Sequence, residues 1–280
     1  MLLLTGASGG LGTLIAERLA GRDDVVLGTR EPGAGGGDGR RRIDFDAPDT
    51  LAEGFAGADT VLLVSAGYGE DDTVIARHDA AISAAEKAGV RHVVYTSLSG
   101  DGDHLPYALA HRWTERRLRE SSLAWTVLRN GLYAELLAFL AAPDASGVIT
   151  APLAGGRLAA VARADLAEVA ARVALDPSPH AGRTYELVGE VALGGRELAS
   201  AVGASYEPGT LAEVRSRLSA SGAVPFQVPM LVGTYAAIAA GFLDGSGVPA
   251  ADRRTLRTLL DRAPHPALTT YAQALPLTAP

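Results

Sequence analysis

Gly6, Gly9 and Gly12 fall three residues apart between an apolar run, Leu2–Leu4, and a helical pattern at Leu11, Leu14, Ile15 and Leu19. A strand, a tight turn and a helix N-terminus in this order leave backbone N–H groups pointing outward. Such a turn can hold the pyrophosphate of a dinucleotide. Glycine is needed where φ is positive and where a Cβ would stand between chain and phosphate. Gly6, Ser8, Gly9, Gly10 and Leu11 are expected to line this site, Ser8 with a hydroxyl donor. The next strand ends Gly28-Thr29-Arg30. An acid there selects NAD through the ribose hydroxyls, whereas the guanidinium fork suits a 2′-phosphate. Thr29 and Arg30 therefore favour NADP(H), and Glu31 beside them leaves NAD(H) as an alternative. Further along, Tyr107 and His111 stand four apart, which on a helix puts both on one face. An imidazole titrating near neutrality can assist a tyrosine or donate a proton itself.

Strands are expected at Val25-Val26-Leu27-Gly28, around 42–45, at Val61-Leu62-Leu63-Val64, and over 90–97 and 124–128. Helical patterns cover 50–57, 73–88 and 107–121. Continuous apolar strands suit a sheet buried on both faces. The alternation predicts an α/β fold: a Rossmann-like, doubly wound parallel sheet with right-handed crossovers and ligands at the carboxyl ends of its strands. Those ends carry Ser65-Ala66-Gly67, small enough for a ribose to approach the backbone, and Thr96 and Ser97, expected near the nicotinamide ribose. A helix over 165–175 and a strand over 184–188 follow. Residues 1–188 form the expected nucleotide-binding domain, with substrate-site insertions from about 135. Residues 189–280, broken by six prolines from Pro208 to Pro266, form a smaller, mainly helical C-terminal lobe that closes over the nucleotide. The Gly-rich segment 31–39 is expected to be mobile without ligand. The apolar helix at 230–242 covers the substrate, seams a homodimer or packs in the core.

The chain has 280 residues, 48% of them hydrophobic, enough for a substantial core. No apolar run reaches the length needed to cross a bilayer. The absence of cysteine excludes disulfides, thiolate metal sites and cysteine nucleophiles. A net charge of −7 argues against a general nucleic-acid binder. His104, His180 and His265 lack metal-ligand spacing, and no Gly-x-Ser-x-Gly elbow supports a hydrolase. His78, after the fourth strand, either reaches the cofactor or lies at the surface. No basic segment precedes the first strand, so a cytoplasmic rather than secreted protein is expected.

Several stretches, in order, resemble the NmrA-like atypical short-chain dehydrogenase/reductases, and most closely their NADPH-dependent quinone oxidoreductase branch. They are Thr5-Gly-Ala-Ser-Gly-Gly-Leu-Gly12, Gly28-Thr-Arg30, Asp44-Phe45, Ala88-Gly-Val-Arg-His-Val-Val-Tyr-Thr-Ser-Leu98, His111-Arg-Trp-Thr-Glu115 and Thr126-Val-Leu-Arg-Asn-Gly-Leu-Tyr133. Arg163-Ala-Asp165 and Tyr185-Glu-Leu-Val-Gly189 extend the match, which fades beyond residue 190.

The resemblance implies that Asp44 faces the adenine amino group and Phe45 flanks the ring. It also implies that Asn130 and Gly131 touch the nicotinamide end, with Tyr133 facing the substrate. Typical members of the wider superfamily place a lysine four residues after the tyrosine, where this chain has His111. The pair His111 and Glu115 also reads as a structural hydrogen bond. The implied activity is hydride transfer from NADPH to a small-molecule electron acceptor such as a quinone. A stabilised phenolate product can take its proton from water, so Tyr107 and His111 are candidate rather than obligatory acids. A non-catalytic NAD(P)-binding redox sensor and a ketoreductase of secondary metabolism stand as the alternatives.

Overall fold

The computed structural model describes residues 1–33 and 39–276. The first half alternates as expected: β1 (Leu2–Leu4), α1 (Gly10–Arg18), β2 (Val25–Thr29), β3 (Arg40–Arg42), α2 (Asp49–Phe55), β4 (Thr60–Leu63), α3 (Asp71–Lys87) and β5 (His92–Leu98). Then come α4 (Ala108–Arg119), β6 (Ala124–Asn130), α5 (Ala134–Leu140), β7 (Val148–Ala151), α6 (Arg163–Leu175) and β8 (Arg183–Leu187). The chain continues through α7 (Gly195–Ala201), β9 (Ser205–Pro208), α8 (Leu211–Ala220), α9 (Gln227–Ala239), α10 (Thr255–Leu260) and α11 (Ala267–Ala274).

Seven strands form one sheet in the order β3-β2-β1-β4-β5-β6-β8. Pairing is parallel from β3 through β5, with Leu3 opposite both Val26 and Val61, and Val61 opposite Val93. Strand order reverses between β1 and β4. A doubly wound sheet binds ligands at this switch point, beyond the carboxyl ends of the strands. The third strand is shorter than expected, ending at Arg42, so Asp44 and Phe45 lie in the loop that follows. Most of the Gly-rich segment, residues 34–38, lies outside the described residues.

Contacts divide the chain into two compact units. Unit 1 comprises Met1–Ser97, Leu109–Arg129 and Leu166–Tyr185, and unit 2 comprises Leu98–Ala108, Asn130–Asp165 and Glu186–Pro280. The division is interleaved, in contrast to the single break expected after residue 188, because β5, β6 and β8 each run from unit 1 into unit 2 at their carboxyl ends. Unit 1 closes around Leu3, Phe55, Val61, Ile82 and Tyr95. Unit 2 closes around Leu137, Ile149, Leu198, Tyr235 and Tyr271, and adds a two-stranded parallel sheet of β7 and β9. The apolar segment at 230–242 supplies part of that core, through Thr234, Tyr235, Ala237 and Ile238 of α9 and through Leu243 just beyond. Asp165, from the expected Arg163-Ala-Asp165 motif, is wholly buried and accepts hydrogen bonds from Arg262 at 2.8 Å and the His265 backbone at 2.7 Å.

Candidate nucleotide site and acid–base residues

The turn after β1 is shaped by missing side chains. Gly6 has φ of +63°, a left-handed value that an L-residue with a side chain adopts only at a cost. A Cβ on Gly12 would lie 2.0 Å from the Gly6 carbonyl oxygen, so α1 can begin this close to β1 only with glycine there. Gly6, Ser8, Gly9 and Gly10 are exposed. The first N–H groups of a helix have no acceptor within it, and Thr13 is the first to bond back here, to the Gly9 carbonyl at 2.8 Å. Backbone donors at Gly10 and Leu11 thus stand at a helix N-terminus, suited to an anion.

A cavity of about 350 Å³ opens from this turn. Its lining brings together Gly6, Ser8, Gly9, Thr29, Arg30, Asp44, Phe45, Ser65, Ala66 and Gly67. These residues were expected to share one site although they come from four separate segments. The Thr29 hydroxyl donates to Ser8 Oγ at 3.4 Å, and Arg30 is exposed beside them. Asp44 lines the cavity and also serves its own turn, accepting the Asp46 N–H at 3.1 Å. Arg77 and Asp46 also line it, and nothing in the spacing of the sequence pairs residues 46 and 77. The Arg77 guanidinium grips both Asp46 oxygens at 2.6 and 2.7 Å and donates to the Tyr68 carbonyl at 2.7 Å. That contact ties the loop after β3 to the loop after β4. The Arg77 guanidinium holds the Asp46 carboxyl below its ordinary pKa.

Behind the loop after β4, the Ser65 N–H donates to Thr96 Oγ1 at 3.0 Å and the Ala66 N–H to His78 Nε2 at 2.9 Å. His78 is completely buried, not superficial, because it reaches from α3 to Thr114 Oγ1 of α4 at 2.8 Å. Burial, with the charges of His111 and Arg77 adding, pushes its pKa down to about 3. Thr96 therefore supports the cavity from beneath. Ser97 faces elsewhere: neighbouring strand residues point to opposite faces, and its hydroxyl donates to Glu115 Oε1 at 2.7 Å. Glu115 also receives Arg112 at 2.7 Å, Arg119 at 3.1 Å and Arg129 at 2.7 Å. Burial alone would raise its pKa, but the bonds from Arg129 and Ser97 and the charges of Arg112 and Arg129 hold it down at about 2.

The partner of His111 is therefore not Glu115. Its Nδ1 lies 2.9 Å from the Tyr95 hydroxyl, which turns the ring into the core of unit 1. Burial and the Arg112 charge push its pKa down to about 4, against a smaller opposing pull from Glu115. Tyr107 stands in the turn before α4, in unit 2, so the face-sharing rule for a helical pair does not apply. Its hydroxyl lies 3.3 Å from Thr234 Oγ1. Thr234 commits its own hydrogen to the Met230 carbonyl at 2.9 Å, so Tyr107 is the donor. Burial, with the Tyr133 charge adding and the Thr234 bond opposing, pushes the Tyr107 pKa up to about 12. Elsewhere in unit 2 the Arg163 guanidinium sits 4.5 Å from the Tyr133 ring centre. Gly131 donates its N–H to the Leu187 carbonyl at 2.9 Å. Asn130 is 6% exposed, and its Oδ1 has no hydrogen-bond partner among the described residues.

Comparison with known proteins bears on the family, the fold and the cofactor. Residues 6–177 match the model of a family described as NAD(P)H-binding. Quinone oxidoreductase 2 of Escherichia coli is 35% identical over 69% of this chain and 70% of its own. The NAD(P)H azoreductase of Xenophilus azovorans is 27% identical over 79% of each. The crystal structure of Citrobacter sp. triphenylmethane reductase complexed with NADP(H) superposes with a TM-score of 0.86, at 27% identity over 98% of this chain and 99% of that one. The chain is a member of the NAD(P)H-binding, NmrA-like oxidoreductase family.

Proposed function

We propose that this protein is an NAD(P)H-dependent oxidoreductase that reduces quinones or similarly conjugated acceptors. The observation that carries this reading is the state of its two acid–base candidates. A tyrosine prepared for proton transfer at neutral pH needs its pKa lowered by a neighbouring cation. Tyr107 instead is buried, with its proton given to Thr234, and is pushed up to about 12. The residue in the lysine position, His111, is turned to Tyr95 and stays neutral. Acceptors that spread the incoming charge over a conjugated system draw their proton from water and need neither group. The relatives named for quinones, azo compounds and triphenylmethanes all act on acceptors of this kind.

The residues present fit a dinucleotide. The turn after β1 has the close approach that only Gly12 permits, and the cavity runs from that turn to Asp44 and Phe45. Gly6, Ser8, Gly9, Gly10 and Leu11 hold the pyrophosphate, Thr29 and Arg30 the 2′-phosphate of NADP(H), and Asp44 and Phe45 the adenine. Asn130 Oδ1, without a partner among the described residues, is free to accept a hydrogen bond. A bound nicotinamide supplies the hydride. This chain's contribution is to bind, orient and desolvate, from which large rate factors can come without a protein acid.

The test is nucleotide oxidation against a panel of quinones, azo dyes and simple ketones. Turnover with the conjugated acceptors and none with the ketones is expected. Tight NADPH binding with no turnover on any acceptor would replace the enzyme by a sensor.

A further inference from the structure

We propose that His78 is a positioning residue for the nucleotide, and that the Thr114 hydroxyl accepts the Nδ1 proton this role requires. The proposal rests on reading the loop at 65–67 as one wall of the dinucleotide site.

A completely buried imidazole with no acid beside it stays neutral, with one N–H and one bare nitrogen. The Ala66 backbone N–H can only donate, and it points at Nε2 from 2.9 Å. Nε2 is therefore bare and the proton sits on Nδ1. The other end of the chain fits the same arrangement. Thr114 spends its own hydrogen on the Ala110 carbonyl, one turn back in α4, at 2.7 Å. Its oxygen is then left to accept from Nδ1 at 2.8 Å. From Ala66 through His78 and Thr114 to Ala110, every donor meets an acceptor, in one direction only. The opposite tautomer would set two N–H groups against each other at Ala66 and draw the Thr114 hydrogen away from the Ala110 carbonyl. Unmatched buried groups of this kind are costly, and the loop, which belongs to no helix or strand, is the part expected to give way. Ala66 lines the nucleotide cavity, whereas Thr114 does not. Removing a hydroxyl that never meets the ligand should therefore displace a wall that does.

Thr114→Val keeps the shape of the side chain and removes the acceptor. By calorimetry its NADPH dissociation constant is expected to rise by about 10-fold, the equivalent of one lost hydrogen bond. The rate at saturating NADPH should change far less than the KM for NADPH. Thr114→Ser, which keeps the hydroxyl, should restore the affinity. His78→Leu should weaken binding as Thr114→Val does, and His78→Gln, whose amide oxygen can face Ala66, should recover most of it. Nitrogen-15 spectra of the unliganded protein should show His78 protonated at Nδ1, a readout independent of ligand and turnover. Protonation at Nε2 overturns the proposal whatever the affinities. Unchanged NADPH affinity in both Thr114→Val and His78→Leu overturns it while leaving the site intact. An unmodified protein that binds no NADPH overturns the site reading itself.

Discussion

The two walls of the proposed nucleotide cavity are built by opposite means. The turn at 5–12 is shaped by what is missing: glycine at 6 for its φ of +63°, glycine at 12 for a gap that a methyl group cannot enter. The loop at 65–67 is shaped by what stands behind it: Thr96 and His78 hold its successive N–H groups, and Arg77 holds the Tyr68 carbonyl just beyond. A wall made by omission leaves a mark in composition, because only one residue type satisfies it. A wall made by buried side chains leaves none, because histidine, threonine and arginine occur everywhere for many reasons.

The first wall should be the more brittle. Gly12→Val forces the α1 N-terminus away from β1 and is expected to weaken NADPH binding by at least ~100-fold in calorimetry. A valine variant that bound normally would show that the close approach is dispensable.

Two buried histidines, His78 behind the second wall and His111 against Tyr95, should make stability respond to pH. His78 and His111 have folded pKa values of about 3 and about 4, below the ordinary 6.5. The unfolded chain therefore takes up protons below pH 6.5 that the folded chain refuses. Stability is full above pH 6.5 and falls as pH drops toward 4, by up to about 1.4 kcal/mol per pH unit for each ring. Denaturant titrations at pH 7, 6 and 5 measure that slope, and His78→Gln should remove one ring's share of it. An unchanged slope in that variant would mean that His78 does not stay neutral.

Two smaller effects refine the picture. Arg30→Ala should cost NADPH about 10-fold in affinity, the loss of one charge-assisted contact, and leave NADH nearly untouched. Equal losses for both nucleotides would place Arg30 away from the 2′-phosphate. Tyr107→Phe should lower kcat with a quinone by less than about threefold, since a general acid is worth ~100-fold or more. A loss of that larger size would favour the ketoreductase alternative.

Much of the fold was legible for the same reason as the first wall. Apolar runs such as Val61-Leu62-Leu63 and the glycine turn obey constraints of burial and backbone that few residues satisfy, and both became the elements expected of them. Strand ends were harder. Thr96 and Ser97 read as one surface, yet alternation sends one under the cavity loop and the other to Glu115. Tyr107 and His111 read as a helical pair, but α4 starts at Ala108, one residue too late for the tyrosine. His111 faces Tyr95 because a partner sixteen positions away in sequence lies across from it, and such pairing has no signature in spacing. Arg77 was missed on the same ground.

The interleaving of the two units bears on how unit 2 could be exchanged between relatives. A chimera that exchanged only the last ninety or so positions would leave the host's 98–108 and 130–165 in place, and with them Tyr107, Asn130 and Tyr133. A faithful graft needs three inserted pieces and five junctions, within β5, β6 and β8 and in the first turns of α4 and α6, where the parental backbones must agree for the hybrid to fold.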